Sequence, residues 1–546
     1  VKHVIEQSEY YGYSGDRVRG LVFCSRVKEC EELSRKFNAL GYRTIALSGA
    51  DNEEKRQEAF ERLAMDEADA TEEMQPLDYI FSRDILNEGV DIVEVNQVIM
   101  LRPTQSPIVF IQQLGRGLRK APGKEYVVIL DFIGNYNNNF MIPVALSGDR
   151  SYNADVIRKY VISGNSTIPG ASTVHFDEIS KDKIFKSIDK IKGMKTLIKE
   201  SYVSMKNRLG RVPLLYDFYE NQEIDPLVII KEYKTYYAFM QAMEKDKYKN
   251  NLNEQEKLTL EYLSKTILTG VRPDELAILS KLLYRDHIRV ADFIKEYQKT
   301  YGIKISTSQV SEAIQVLQGH FVSKEAEYQK FRQIDILEND QSGMIRRLQS
   351  YAERLAHIQF YTQVEDIIKV GIARYKDKYF PGRIVDSPFV LYEKYSRRDV
   401  SLLMNCGKDL SSIMYGMKRI EDDVFIFITY HKEESQDEKN YVDGKPDYAD
   451  AFEDDLIFKW DSQIGKGLDS SYMKDVLEAE RKHLLVKKSD AETSFYYMGQ
   501  FTVVEARNTR KEDNRGRMQP ITKVTMKMQH PVREDLLRYL QSNITA

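Results

Sequence analysis

The sequence predicts an α/β lobe, with a parallel sheet between helices on both faces, followed by a mainly α-helical region and a β-rich C-terminal module. Three observations predict it. Apolar runs and helical periods alternate over residues 18–150. Residues 180–380 carry helical spacing with few strand signals. Short runs rich in Val, Ile, Phe and Tyr return after residue 387. Strict alternation of strand and helix is the mark of a parallel sheet buried on both sides.

The elements follow in order. "GLVFCS" (20–25) is a buried strand, and "VKECEELSRKFNALG" (27–41) a helix closed by Gly41. "RTIALSG", "LDYIFS", "QVIML" and "EYVVILDF" are further strands, and "NEEKRQEAFERL" is the second helix. The acidic stretch 66–75 reads as a solvated loop. Further on, "SYVSMKNRLGRVPLLYDFYE" (201–220) and "GIKISTSQVSEAIQVLQGHF" (302–321) each read as helix, tight turn, helix, with Ser306 or Thr307 as a cap. They predict helix-turn-helix or winged-helix units. "SPFVLYEKYS", "DVFIFITY", "DLIFKW", "FYYMGQFTVVEA" and "ITKVTMKM" are the strand-like runs of the last module, and "RNTRKEDNRGRMQP" (507–520) reads as a charged hairpin loop. The expected division is 1–150, 151–385 and 386–546.

Bulk properties exclude several classes. A chain of 546 residues is too long for one core. No window approaches the ~18 apolar residues of a membrane helix. Three cysteines (Cys24, Cys30, Cys406), none in a CxxC pair, fit a reducing cytoplasm and argue against structural zinc. The net charge of −4 gives no global attraction to nucleic acid, so such binding has to come from local patches. The chain starts at Val1, and a fragment of a longer protein is expected.

"FIQQLGRGLRK" (110–120) carries the chemistry. Ser106 can cap a helix and Pro107 suits its first turn. Over about 107–119, Ile111, Leu114 and Leu118 share an apolar face, while Gln112, Arg116 and Arg119 fall at i, i+4 and i+7 on another. Gly115 and Gly117 each cost about 1 kcal/mol in a helix interior, a cost that fits close approach of another body. Planar guanidiniums suit a phosphate, since each donates two parallel hydrogen bonds. Spacing alone reads equally well as a surface helix with solvated arginines.

"QQLGRGLR" resembles motif VI of superfamily 2 helicases, and "ILNEGVDI" (85–92) resembles motif V. "LVFCS" and "ALSG" stand where earlier motifs of the same lobe belong. The ordered set over 18–134 resembles the second RecA-like lobe of a DEAD/DEAH-type helicase. The resemblance implies that Arg116 and Arg119 are arginine fingers, that Gln112 senses nucleotide, and that Gly89 and Asp91 lie at the nucleotide and coupling surface. It places Ser48 and Arg83 toward nucleic acid, although Arg83 stands where motif V often has Ser or Thr. Lys206, Arg208 and Arg211 are the expected nucleic-acid contacts of the helical region, alongside a lysine series from 181 to 199 whose competing reading is a solvated face over Ile184, Ile188 and Ile191. Trp460 or Tyr497 offers a stacking surface, or else core.

No GxxxxGK[ST] loop occurs, so the ATP and Mg²⁺ site is expected to be completed by a first lobe outside this sequence. No metal ligand set is expected within it. The module order, through "LDFIGNY", "LYEKYSRRDVSLLM" and "FYYMGQFTVVEA", resembles a bacterial, hence cytoplasmic, helicase family with a long C-terminal domain of unknown function. Its members often carry an upstream nuclease domain. The implied partner is DNA, in an ATP-dependent helicase or translocase whose isolated C-terminal part is inactive. A restriction or defence nuclease complex and a non-motor scaffold for a protein partner are the competing functions.

Overall fold

The computed structural model describes residues 1–83, 92–102, 121, 123–132, 139–147, 152, 157–158, 160–161, 174–189, 194–221, 223–245, 251–340, 343–381, 387–431, 441–442, 445–446, 450–489, 492–513 and 516–541. The chain divides into two compact units, Val1–Leu197 and Ile198–Ala546.

The first unit holds β1 (Gly20–Phe23), β2 (Thr44–Leu47), β3 (Tyr79–Ser82), β4 (Gln97–Met100) and β5 (Val128–Asp131), all parallel, in the order β2-β3-β1-β4-β5. The strands of the centre read as continuous apolar runs because both faces are buried. Val22, Cys24, Tyr79, Phe81, Ile99 and Leu130 pack with Cys30 and Phe37 of α2 (Val27–Asn38), and Val4 and Ile5 of α1 (Lys2–Tyr11) lie against the same cluster. In α3 (Glu53–Ala64) the side chain of Asn52 accepts from Lys55 N and caps the helix as its residue type predicts. Gly20 is obligatory in β1, since a Cβ there would meet the Tyr79 ring at 2.2 Å. Two further helices, α4 (Met141–Ser147) and α5 (Glu178–Asp189), follow β5. In α5 Ile184 is fully buried, Lys186 is exposed, and Lys181 and Lys183 are half-buried; the Ile188 side chain and Ile191 lie outside the described residues.

Helix α6 (Met194–Leu209) leads into the second unit. Gly210, at φ 67°, turns the chain toward α7 (Leu215–Glu220), the helix-turn-helix shape expected of "LGRVP". The N-terminus of α7 is capped from far away: Asp366 accepts from Leu215 N (2.7 Å) and Tyr216 N (2.9 Å). Then come α8 (Pro226–Tyr233), α9 (Tyr236–Met243), α10 (Glu254–Thr266), α11 (Asp274–Leu282), β6 (His287–Arg289), α12 (Val290–Tyr301), α13 (Thr307–Leu317), α14 (Glu325–Phe331), β7 (Leu337–Asn339), β8 (Met344–Arg347), α15 (Gln349–Leu355) and α16 (Ile358–Arg374). The long α16 organises this region. Its Arg374 grips Asp225 at 2.7 and 2.8 Å, and its Gly371 lets Gly270 approach so closely that a Cβ on Gly270 would lie 2.3 Å from Gly371 O.

Strands β6, β8 and β7 form an antiparallel sheet in that order beside α11, α12 and α13. Ser306 caps α13, accepting from Gln309 N, and Val310, Ile314 and Leu317 are buried, as their spacing predicts.

The last part is one mixed sheet of eight strands. It comprises β9 (Lys394–Tyr395), β10 (Met417–Ile420), β11 (Asp423–His431), β14 (Ala451–Phe452), β15 (Ile457–Asp461), β16 (Arg481–Ser489), β17 (Phe495–Glu512) and β18 (Met518–Met528). The order is β10-β11-β16-β17-β18-β15-β14, with β9 against β17; only β11 and β16 run parallel. A separate two-stranded ladder joins β12 (Tyr441–Val442) to β13 (Lys445–Pro446). Helices α18 (Ser471–Glu478) and α19 (Glu534–Gln541) put Met473, Val476, Leu536, Tyr539 and Leu540 onto a core with Ile426, Leu484, Met498 and Met526.

Two sequence expectations change here. Of "SPFVLYEKYS" only Lys394–Tyr395 is strand, and α17 (Arg397–Leu403) follows at once, capped by Ser396. The segment 507–520 is not a loop: β17 runs to Glu512 and β18 starts at Met518, so the charged residues ride on a β-ribbon. The loop reading missed this because charge hides the pairing; alternation there is between polar residues.

Candidate nucleotide and nucleic-acid site

In a parallel sheet, ligands gather outside the carboxyl ends of the strands, where the strand order reverses. Here β1 is central, β3 and β4 flank it, and the chain crosses from one side to the other between them. The segment 85–92 follows β3 in the chain, and 110–120 follows β4. Gly89, Asp91, Gln112, Arg116 and Arg119 lie outside the described residues, as does the helix expected over 107–119.

What is described at this edge is polar and tied together. Arg102, just past β4, donates to Arg83 O at 2.6 Å, and its guanidinium sits 5.9 Å from the Phe23 ring centre at the end of β1. One side chain thereby spans the ends of all three central strands. Arg83 itself is exposed. Ser48, after β2, donates to Asp51 Oδ2 at 3.1 Å, and Asp51 also accepts from Ser48 N.

Two buried groups at the same edge lack hydrogen-bond partners among the described residues: Ser82 Oγ at the end of β3 and Asp131 Oδ2 at the end of β5. Burial pushes the Asp131 carboxyl up to about 7. Unsatisfied buried polar atoms are scarce in folded proteins. Their presence at the carboxyl edge is chemistry that a polar ligand or a docking segment fits. Sequence reading missed Arg102, Ser82 and Asp131; "LDF" looked like strand end, and nothing in it foretold an orphaned carboxyl. No three of His, Cys, Asp and Glu converge as metal ligands among the described residues.

The cations proposed from sequence in the second unit all have acidic neighbours. Lys206 pairs with Glu244, Arg208 lies 3.2 Å from Glu223, and Arg211 holds Asp217 by two bonds of 2.7 Å. Trp460 and Tyr497, the candidate stacking residues, are 4% and 0% exposed and belong to the core. Helix α13 contains no Lys or Arg, and the arginines of β8 are paired: Arg346 with Asp340 and Arg347 with Asp286. The element that a winged helix lays in a groove thus carries no positive charge here.

Residues 5–121 match the model of the helicase conserved C-terminal domain. The lobe is thus similar in sequence to a helicase C-terminal domain. Residues 198–378 and 389–540 match two models, each described as a domain of unknown function, DUF8090 and DUF3427. The Saccharomyces cerevisiae protein IRC3, which bears the name of an ATP-dependent helicase, is 37% identical over 67 residues, 12% of this chain and 10% of that protein. The chain thus matches about a tenth of that relative's length. Among solved structures, the E. coli DEAD-box protein SrmB bound to regulator of ribonuclease activity A is 18% identical, with a TM-score of 0.21 over 25% of this chain and 71% of that one. The Mycobacterium smegmatis helicase Lhr bound to ssDNA and AMP-PNP is 16% identical, with a TM-score of 0.21 over 30% of this chain and 21% of that one. Among the described residues no helix is long and apolar enough to cross a membrane.

Proposed function

We propose that this chain is the C-terminal part of an ATP-dependent DNA helicase or translocase. The reading rests on chain order: each motif segment follows, in sequence, a strand that flanks β1, in a lobe similar to a helicase C-terminal domain. ATP, bound with Mg²⁺ mainly by a first lobe of the parent chain, supplies the free energy of phosphoryl transfer. Arg116 and Arg119 stabilise charge on the transferred group, as arginine fingers do. Gln112, Gly89 and Asp91 contact the nucleotide or couple it to nucleic acid. Arg102 holds the ends of β1, β3 and β4 in register, so that the two motif segments start from a fixed base. The organisation proposed is the lobe, a helical region with a winged-helix-like unit (α11 to β8) and the β-rich module.

The test is ATP turnover by the parent chain, with duplex DNA, single-stranded DNA, RNA or no nucleic acid. Stimulation by DNA supports the reading. Turnover indifferent to every nucleic acid favours the scaffold alternative, and DNA cleavage with Mg²⁺ by residues 1–546 alone favours a nuclease.

A further inference from the structure

The longest hairpin among the described residues has no role in the reading above. Strands β17 and β18 pair from Phe501–Met528 out to Glu512–Met518. Their neighbour β15 lies along Lys527–Lys523 and ends at Asp461, and the segment after it follows β18 to Pro520 and reaches Asn508, so the part beyond Asn508 and Pro520 projects as a two-stranded ribbon.

The register sorts its side chains. Ala506 and Val524 face the core with Trp460. Arg507 and Lys523, the next pair in register, therefore take the opposite face, with Lys511 further along that face and Lys527 toward the base. All four are exposed. Among the described residues none of Arg507, Arg510, Lys511, Lys523 and Lys527 has an acidic partner or a side-chain hydrogen bond; only Arg517 is paired, to Asp513 at the tip. Glu505, opposite Thr525, is the acid on the outward face of the paired strands.

Arg507 directly opposite Lys523 is the informative feature. Like charges in register across an antiparallel pair destabilise it. Asp461 of β15, opposite Lys523, and Glu505 share that face, yet neither forms an ion pair with Arg507 or Lys523. The stripe from Lys511, opposite Gln519, to Lys527 spans eight residue steps of β18, roughly 27 Å at 3.4 Å per residue. DNA offers one negative charge per ~1.7 Å of axis, so a stripe of this length can lie along the phosphates of a duplex.

We propose that the β17–β18 ribbon is a docking element for duplex DNA, with Arg507, Lys511, Lys523 and Lys527 contacting phosphates. The proposal rests on the nucleic-acid part of the function proposed above, not on its ATPase part.

The test uses residues 1–546, a labelled 30-base-pair duplex and fluorescence anisotropy across a salt series, without ATP. Arg507→Gln/Lys511→Gln/Lys523→Gln is compared with a control, Lys295→Gln/Lys299→Gln on α12. The ribbon variant is expected to weaken binding by 10-fold or more near 0.1 M salt. Its slope of log affinity against log salt should become shallower by about 0.9 for each phosphate that the variant no longer neutralises. Its melting temperature should hold or rise, because the Arg507–Lys523 repulsion is gone. If the triple variant melts early, Lys523→Thr alone, an exposed change to a strand-former, should still make the slope shallower by about 0.9. Unchanged affinity and slope, or an equal loss in the control, would overturn the proposal. A parent chain that binds DNA through the ribbon yet fails to hydrolyse ATP would sink the motor and leave the ribbon standing.

Discussion

His483 Nε2 lies 2.7 Å from Asp423 Oδ1, and its Nδ1 lies 2.8 Å from the Tyr497 hydroxyl, all three side chains being buried beneath Phe389. Arg481 closes the network with two bonds to Asp423, of 2.8 and 2.6 Å. The geometry fits a neutral imidazole donating to a carboxylate and accepting from a phenol. Burial holds His483 below its ordinary value. Burial also opposes the charge on Asp423, but the His483 and Arg481 bonds outweigh it and hold the carboxyl down at about 2.

The sign of the pH dependence follows. A carboxyl lower in the folded state stabilises fully above its unfolded value near 4, and that stability disappears as pH falls from ~4 to ~2. The amount is on the order of 2 kcal/mol. His483 adds a loss that begins as pH falls through ~6.5, because the unfolded chain then takes the proton that the buried ring refuses. Thermal melting followed against pH should therefore show Asp423→Asn less stable than the parent sequence at pH 7, the gap closing by pH 2. A gap independent of pH would mean that Asp423 acts through packing alone.

Asp131 has the opposite sign. Its folded pKa, about 7, stands above the unfolded value, so it costs stability progressively as pH rises from ~4 to ~7. Asp131→Asn should raise the melting temperature of the lobe at pH 8 and change it little at pH 4. A stabilised protein that loses ATP turnover in the parent would mark the carboxyl as serving function, the usual trade at strained sites.

Arg272, buried at 7% exposure, reaches Glu275, Leu402 O and Asn405, and so fastens α11 to the end of α17. Replacing one member leaves a buried charge unpaired, which costs about 3–5 kcal/mol. Arg272→Met should lower the unfolding midpoint of the second unit by that order, and Arg272→Met/Glu275→Met should recover much of the loss. A double variant no better than the single would show that the backbone contact to Leu402 O dominates.

Much of the lobe was legible because its strands are uninterrupted apolar runs: β1, β3 and β4 match their predicted segments to within a residue or two. Caps were legible too, at Asn52 and Ser306. The Asp366 cap on α7 was not, since its two ends lie 150 residues apart in sequence and only packing joins them. Arg208 and Arg211 looked like phosphate ligands because Glu223 meets Arg208 only once the chain has turned at Gly210, and Asp217 meets Arg211 only at the start of α7. Conversely, 507–520 looked like a charged hairpin loop, and among the described residues its Arg507, Arg510 and Lys511, on strand β17, have no acidic partner. In each case the residue types were plain and the pairing was not.

The central claim is that the segment after β4 supplies arginines to an ATP site. The direct measurement is kcat for DNA-stimulated ATP hydrolysis by the parent chain, against Arg116→Ala and Arg119→Ala, with folding checked by circular dichroism. The account predicts a fall on the order of 10³-fold in kcat for each. Hydrolysis at the parent rate in both variants would contradict it, and would leave Arg116 and Arg119 as solvated residues on a surface helix.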